Sequence, residues 1–421
     1  MNRALALAAL VLFCGCAISA QTEEKDNLYR ANAGSVKITP EKLSFMGGYR
    51  TDPPRVAENT HDDLYARCLA LQGAEGKQII FVSLDLVAFL RHDVELVKAK
   101  LREKGIDVAG VFISATHTHS GPDTVGIWGG RDENYMTALR EKIAALVLKT
   151  VANLKDAEVY VTQTSGAPLN RNDKPSGLDN KITTLFVKEF GANKLVGVLV
   201  NFGCHPETVG KDNKSYSADF PGALSLQIDG MLACPVLFVN GALGGMVTVN
   251  PVVLTNSQKG FEQTDEFSQN LVEKTFPPAI SPKYYHQLNN RVEVKVVGMS
   301  LAIDNPALEE ALEKGVIPST PTTYEHSTVY AEAAVVNLGS FKIAIVPGEP
   351  TPDVSRNIQN LIGGDGPVAP VIFSLTNGEI GYILASENYD LPCFEQEREK
   401  SLGRKTGDAV LESFSKFAPV K

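Results

Sequence analysis

"GVFISATHTHSGPDTVG", residues 110–126, runs from a β-branched apolar stretch straight into two of the chain's seven histidines, His117 and His119. Val111 to Ser114 read as a short buried strand, and Ser120-Gly121-Pro122 marks a loop. A strand that carried on through the histidines would put both imidazoles on one face, roughly 7 Å apart at Cα, because the side-chain period is two. Two readings stay open at this point. Either the pair begins a metal site at a strand end, or it is a polar finish to an edge strand.

The same form recurs outward from this stretch. Apolar strands are predicted in "QIIFVSLDLVAFL" (78–90), "EVYVTQ" (158–163), "KLVGVLVNFG" (194–203), "PVLFVNGA" (235–242), "NRVEVKVVGMSLAI" (290–303), "AAVVNLGSFKIAIVPG" (333–348) and "PVIFSLTNG" (370–378). Helical periodicity appears between them at 132–154, 220–232, 266–276 and 350–362. The stretch "DNPALEEALEKGVIPSTPTTYEH" (304–326) reads as a surface excursion. With no linker or repeat between elements, the prediction is one large α/β domain, mixed α+β, whose mixed β-sheets are flanked by helices.

Composition narrows the function classes. The chain has 421 residues, 43% of them hydrophobic, enough for a large core, and a net charge of −9 with no basic run argues against a nucleic-acid partner. The start, "MNRALALAALVLFCGCAISAQTEEKDN", reads as a secretory signal over residues 1–20, cut after Ala20 or lipidated at Cys16. Its apolar run is too short to span a bilayer. An exported protein is expected: periplasmic, secreted, or an outer-membrane lipoprotein. The four later cysteines, Cys68, Cys204, Cys234 and Cys393, require no disulfide and form no CxxC. No GxSxG, HExxH or phosphate-binding glycine loop is present, which argues against serine hydrolases, zincins and nucleotide enzymes.

Further candidate ligands stand where other apolar runs end: His205 in "NFGCHPETVG", Glu349 in "IAIVPGEP" and Tyr382 in "NGEIGYI". Each alone has an ordinary structural reading: a hydrogen-bonding histidine, an acid opening a helix, a packing tyrosine. Together with "ATHTHSGP", "SADFPGA", "ITPEKLSFMGGY" and "HDDLYARCLAL…FVSLDL", however, they resemble the neutral (non-lysosomal) ceramidases over roughly residues 33–415. The resemblance implies the catalytic-domain fold of that family over residues 30–421, with no C-terminal β-sandwich expected, and a zinc amidase that splits N-acyl bonds. It makes His117, His205, Glu349 and Tyr382 the ligands of one zinc per chain, and His119 a neighbouring catalytic histidine. It makes Arg171, in "APLNRND", a contact for polar groups of the substrate, and gives Tyr382 a second, catalytic part. A lipid or other small-molecule substrate follows, with contact to a membrane surface through that substrate or a lipid anchor.

Two departures bear on the substrate. Where the family has a serine, "GALGGMVTVN" (241–250) has Val247, with Gly245 at the preceding aspartate and Thr248 only adjacent. A second family tyrosine falls on Phe394. An ester or carbohydrate-linked substrate, or a non-catalytic metal protein, therefore stays open beside the ceramidase-like amidase.

Overall fold

Strand periodicity sorts the apolar residues onto the faces of two sheets. The computed structural model describes residues 27–255, 260–276, 285–364 and 366–418; the expected signal segment 1–20 and Cys16 lie outside them. The larger sheet contains β1 (Tyr29–Lys37), β2 (Tyr65–Gln72), β3 (Gln78–Leu84), β4 (Val111–Ala115), β5 (Lys155–Ser165), β6 (Lys181–Glu189), β7 (Leu195–Phe202), β8 (Val236–Asn240) and β9 (His286–Leu288). Its order is β8-β7-β6-β5-β1-β2-β3-β4, with β9 on the side of β5. Only the outer pairs β8/β7 and β3/β4 are parallel. The smaller sheet runs β10 (Val292–Ala302), β12 (Thr328–Leu338), β13 (Phe341–Ile345), β14 (Val371–Phe373), and the short β11 (Tyr324–Glu325) pairs with β12.

Alternate residues of one strand enter different cores. Leu69, Leu71, Ile79 and Phe81 face the smaller sheet's Phe341, Ile343 and Ile345. Between them, Cys68, Ala70, Ile80 and Val82 face the helices α1 (Arg91–Glu103) and α2 (Glu133–Val151). The same sheet face continues under α3 (Asp219–Leu232) and α4 (Phe261–Thr275), where Val198, Val200 and Phe238 meet Phe220, Leu224 and Phe267. Ala344 and Val346 turn outward onto α6 (Pro352–Ile362) and α7 (Thr406–Ser415). The result is four layers, helix–sheet–sheet–helix, in keeping with the expected mixed sheets flanked by helices. Each fully buried Leu or Phe contributes about 1.5–3 kcal/mol, so the two sheets are held face to face by their own alternation.

One end of this sandwich gathers the strand termini that carry polar loops. There the sheets are stitched together: Ala115 N–H donates to Leu375 O at 3.1 Å, and Ser374 N–H to Asn240 O at 3.0 Å. Three expectations change. The strand before the histidines stops at Ala115, so His117 and His119 are not strand neighbours on one face. "ITPEKLSFMGGY", which the resemblance implies to be one of the family's opening strands, makes no strand of its own and joins others only through isolated bridges at Phe45 and Met46. The 304–326 excursion contains a helix, α5 (Pro306–Glu313), N-capped by Asn305, whose Leu308 and Leu312 turn inward at helical spacing. Cys68, Cys204, Cys234 and Cys393 are all free thiols. Among the described residues, no helix is long and apolar enough to cross a membrane.

Candidate metal centre

His117 stands two residues beyond β4, where the chain leaves the sheet through a left-handed turn. Its φ is 73°, a conformation that costs an L-residue roughly 1–2 kcal/mol. Backbone bonds offset that strain: Thr116 N–H donates to Leu84 O at 2.8 Å and His117 N–H to Leu86 O at 2.9 Å. The ring is fixed as well, because Nδ1 lies 2.6 Å from Val87 O. A carbonyl can only accept, so Nδ1 carries the proton and Nε2 keeps its lone pair.

His205 repeats this arrangement beyond β7. Its backbone N–H and its Nδ1 both donate to Val247 O, at 2.8 and 2.9 Å. Asn240, fully buried at the end of β8, ties the two histidine loops together. Its Oδ1 accepts from Cys204 N–H at 3.0 Å and its Nδ2 donates to Thr116 O at 2.9 Å, one residue before each histidine. Glu349 arrives from the smaller sheet on a two-residue parallel ladder, Glu349–Pro350 against Tyr382–Ile383, with Glu349 opposite Tyr382. Glycine is required at 381: its φ is +80°, and an added Cβ would meet Lys400 O at 1.8 Å.

The three side chains converge. Glu349 Oε2 is 3.1 Å from His205 Nε2 and 3.6 Å from His117 Nε2. Donor atoms of His117, His205 and Glu349 all lie within 4.8 Å of one another, and all three residues are buried. Ligands about 2.05 Å from a tetrahedral ion stand roughly 3.3 Å apart, so these separations and this N/N/O donor set fit a small divalent cation. Tyr382 completes the rim, its hydroxyl 3.3 Å from His205 Nε2 and 3.3 Å from Met246 Sδ. Burial opposes ionisation of Glu349, but the facing imidazoles of His117 and His205 outweigh it and hold the carboxyl pKa below the usual carboxylate range. Burial also opposes a charge on His205, yet Glu349 raises its pKa. At His117 burial wins over Glu349 and the pKa falls.

His119 lies beside the cluster rather than in it. Its ring packs edge-on to His117 at 4.9 Å and to Tyr49 at 4.8 Å. Gly48, with φ +97°, makes the cradle; a Cβ there would come within 2.5 Å of the imidazole. Arg55 pins the segment by donating to His119 O at 2.7 Å. Burial first, and then the neighbouring imidazoles, push the His119 pKa well below the usual value, so the ring is neutral. Its Nδ1 is buried without a protein partner.

Arg171 is the candidate that the fold does not gather in. Its side chain is 46% exposed and pairs with Asp173 at 3.6 Å, on a short ladder opposite Thr248. Val247 holds His205 through its carbonyl and buries its side chain completely. Thr248 Oγ1 donates to Glu207 Oε1 at 2.8 Å, and Tyr49 OH to Glu207 Oε2 at 3.2 Å. Phe394 is buried. Sequence reasoning missed Tyr49, Glu207 and Asn240. Glu207 follows His205 by two residues and Tyr49 ends the "MGGY" turn, but no period marks either, and Asn240 reads as the last residue of a strand.

A cavity of about 160 Å³ opens from the cluster. Val87, Leu90, Val125 and Trp128 form one wall, and Leu308, Leu312 and Ile317 of the 304–326 excursion form another. The site thus joins a hard, polar end to an apolar slot, the arrangement expected of a pocket for a mostly apolar ligand.

No protein-family model matches the chain. It is 26% identical over 247 residues to the neutral ceramidase of Pseudomonas aeruginosa, a match covering 52% of this chain and 36% of that protein. It is 25% identical over 228 residues to neutral ceramidase B of Dictyostelium discoideum, covering 48% and 31% respectively. The matched region is therefore about a third of either relative's length. The crystal structure of the Pseudomonas aeruginosa neutral ceramidase superposes with a TM-score of 0.77 at 18% identity, covering 94% of this chain and 75% of that one. The structure of a ceramidase complexed with C2 gives the same TM-score and identity over 92% of this chain and 74% of that one.

Proposed function

We propose that this neutral-ceramidase-like chain is an exported zinc-dependent hydrolase that cleaves the N-acyl amide bond of a lipid, over a catalytic domain spanning residues 30–421. One observation carries the reading: two oriented imidazoles and a carboxylate converge at the mouth of an apolar cavity. His117, His205 and Glu349 would hold the ion, with Tyr382 as a fourth, weaker ligand. Zinc bound there supplies Lewis-acid polarisation and acidifies a water.

The chain's own residues do the rest. The Nδ1 hydrogen bonds to Val87 O and Val247 O leave both Nε2 lone pairs free for an ion, the outer-shell role that fixes tautomer and ring angle. Neutral His119 would take a proton from the attacking water and deliver it to the departing amine nitrogen. Without an ion, burial, and then the charge of Glu349, hold the Tyr382 phenol well above its usual pKa. Swung off the ion as a neutral phenol, Tyr382 would donate to the carbonyl oxygen as negative charge builds there. The apolar walls exclude water and receive the acyl chain. Arg171, whose side chain is turned to solvent, meets polar groups of a substrate only if it swings inward.

The test compares long-chain ceramide, a short N-acyl amide and an acyl ester on zinc-loaded protein. Cleavage of the amides supports the reading, and cleavage of the ester alone overturns it in favour of an esterase. No hydroxyl nucleophile is needed at Val247. Thr248→Ala is therefore expected to keep turnover within about tenfold of the parent while losing roughly 1.5–3 kcal/mol of stability, the worth of one hydrogen bond to a carboxylate. Steady-state kinetics and denaturant unfolding read both. A drop of several orders of magnitude in turnover would instead make Thr248 part of the chemistry.

A further inference from the structure

Away from the metal cluster, a second cavity of about 270 Å³ opens between α1, the turn at 107–109 and strands β12 and β13. Its apolar side is Phe112, Val296, Ala334 and Ile345, and its charged side brings Lys98 and Arg102 together with Glu95, Asp107 and Glu332. Asn377 borders both cavities. Its side chain is spent on the wall between them, where Oδ1 accepts from Ile113 N–H at 2.9 Å and Nδ2 donates to Val111 O at 3.1 Å. Each acid is engaged too. Glu332 Oε1 accepts from Arg91 Nη2 at 3.0 Å, and Glu95 Oε1 lies 3.5 Å from the same nitrogen. Asp107 Oδ1 accepts from Ala109 N–H at 3.1 Å.

The cations are left over. Lys98 is only 6% exposed, and among the described residues its nearest carboxylate oxygen is Glu332 Oε2 at 3.9 Å, beyond hydrogen-bond reach. An ammonium has three donors to satisfy, and burying one without acceptors is costly. Burial above all pulls the Lys98 pKa down, against the opposing charges of Glu332 and Glu95. Arg91 Nε and Nη1 are sealed in the protein, whereas Lys98 lines the open cavity. Arg102, one turn further along α1, has no ion-pair partner among the described residues and adds positive charge around Lys98. We propose that this cavity is a second ligand site that takes a carboxylate with a short alkyl body, its carboxylate on Lys98 Nζ and Arg102 and its alkyl body on Phe112, Ala334 and Ile345. A neutral alcohol would leave the buried ammonium without a counter-charge, and a cationic head would meet two like charges. An anion without an apolar body would leave the apolar side uncovered. The charge-assisted bond of a carboxylate supplies what Lys98 lacks. The site shares no residue with the metal ligands and does not depend on the amide-hydrolase reading.

The probe is hexanoate, titrated by calorimetry into the zinc-loaded chain, with 1-hexanol and acetate as controls that lack the charge and the alkyl body. Hexanoate is expected to bind about tenfold or more tighter than either. Lys98→Met should weaken it by about ten- to a hundredfold, the worth of a lost charge-assisted hydrogen bond. His117→Ala, which removes a metal ligand, should leave that binding unchanged. Arg102→Gln, at an exposed position, should weaken it severalfold and serves as the test if Lys98→Met does not fold. In the parent, hexanoate should also protect Lys98 from acetylation by acetic anhydride, read by mass spectrometry, while exposed Lys400 reacts as before. No binding of hexanoate, equal binding of either control, binding unchanged in both Lys98→Met and Arg102→Gln, or binding lost in His117→Ala instead would each overturn the site. Acetylation of Lys98 at the same rate with and without hexanoate would do so as well.

Discussion

Replacing His117 with alanine is expected to empty the metal site and reduce hydrolysis to background. His117 supplies one of three converging donors, and its Nε2 is aimed by the Nδ1 bond to Val87 O at 2.6 Å. Loss of an outer-shell partner alone typically costs about 10–100-fold in metal affinity, so loss of a ligand should exceed about a hundredfold. Glu349 would then face His205 alone, with less positive charge to hold its carboxyl down. The fold should survive, because the backbone bonds of Thr116 and His117 to Leu84 and Leu86 do not involve the ring. His117→Gly provides the control, since glycine adopts the left-handed turn without strain. It should lose metal as fully as the alanine variant and unfold no earlier. Retention of one zinc per chain by both variants would remove His117 from the ligand set.

Changing the neighbouring histidine should give the opposite pattern. His119→Ala is expected to keep its zinc and lose about 10²–10⁴-fold in kcat, the usual worth of a general acid–base group. KM should move little, because no binding contact is deleted. His119→Phe fills the cradle of Gly48 and Tyr49 without ring nitrogens, and should be as inactive with the metal intact. The parent's pH profile tests the same group. Burial, then the adjacent imidazoles, disfavour the charged ring, so His119 stays neutral well below pH 6.5 and gains its proton only in more acid solution. The acid limb that this residue contributes to kcat/KM should therefore lie below 6.5. A limb at or above 6.5 that disappears in His119→Phe would show a solvated, ordinary histidine. Equal loss of zinc from the His117 and His119 variants would restore the local reading in which both bind the ion.

Much of this site is legible in the amino-acid sequence because its residues sit at chain breaks that sequence marks strongly. His117, His205, Glu349 and Tyr382 each follow an apolar run and adjoin or closely neighbour glycine or proline, and the family resemblance sets them in one group. The strand after Gln78 and the helix 133–151 are readable from period and N-terminal acids for the same reason. The α1 helix is equally regular, with Val94, Val97 and Leu101 at i, i+3 and i+7, but it follows an apolar run so closely that the run masks its start. Long-range polar links leave no such trace. Asn240 bonds residues more than thirty and a hundred positions away, so only the folded sheets reveal it. The excursion at 304–326 is charged on its outer side, and its two inward leucines gain meaning only from the cavity they close. Arg171 shows the converse. A motif can place a residue in a family pattern while the local chain turns its side chain toward solvent.

The most direct measurement is a crystal structure of the zinc-loaded protein with anomalous data across the zinc edge. One peak per chain is expected, with His117 Nε2, His205 Nε2 and a Glu349 oxygen each about 2.0–2.2 Å from it. His119 should stay outside coordination distance, against Tyr49. Absence of zinc, or a peak ligated by His119 in place of His117, would contradict the metal site on which the proposed hydrolysis depends.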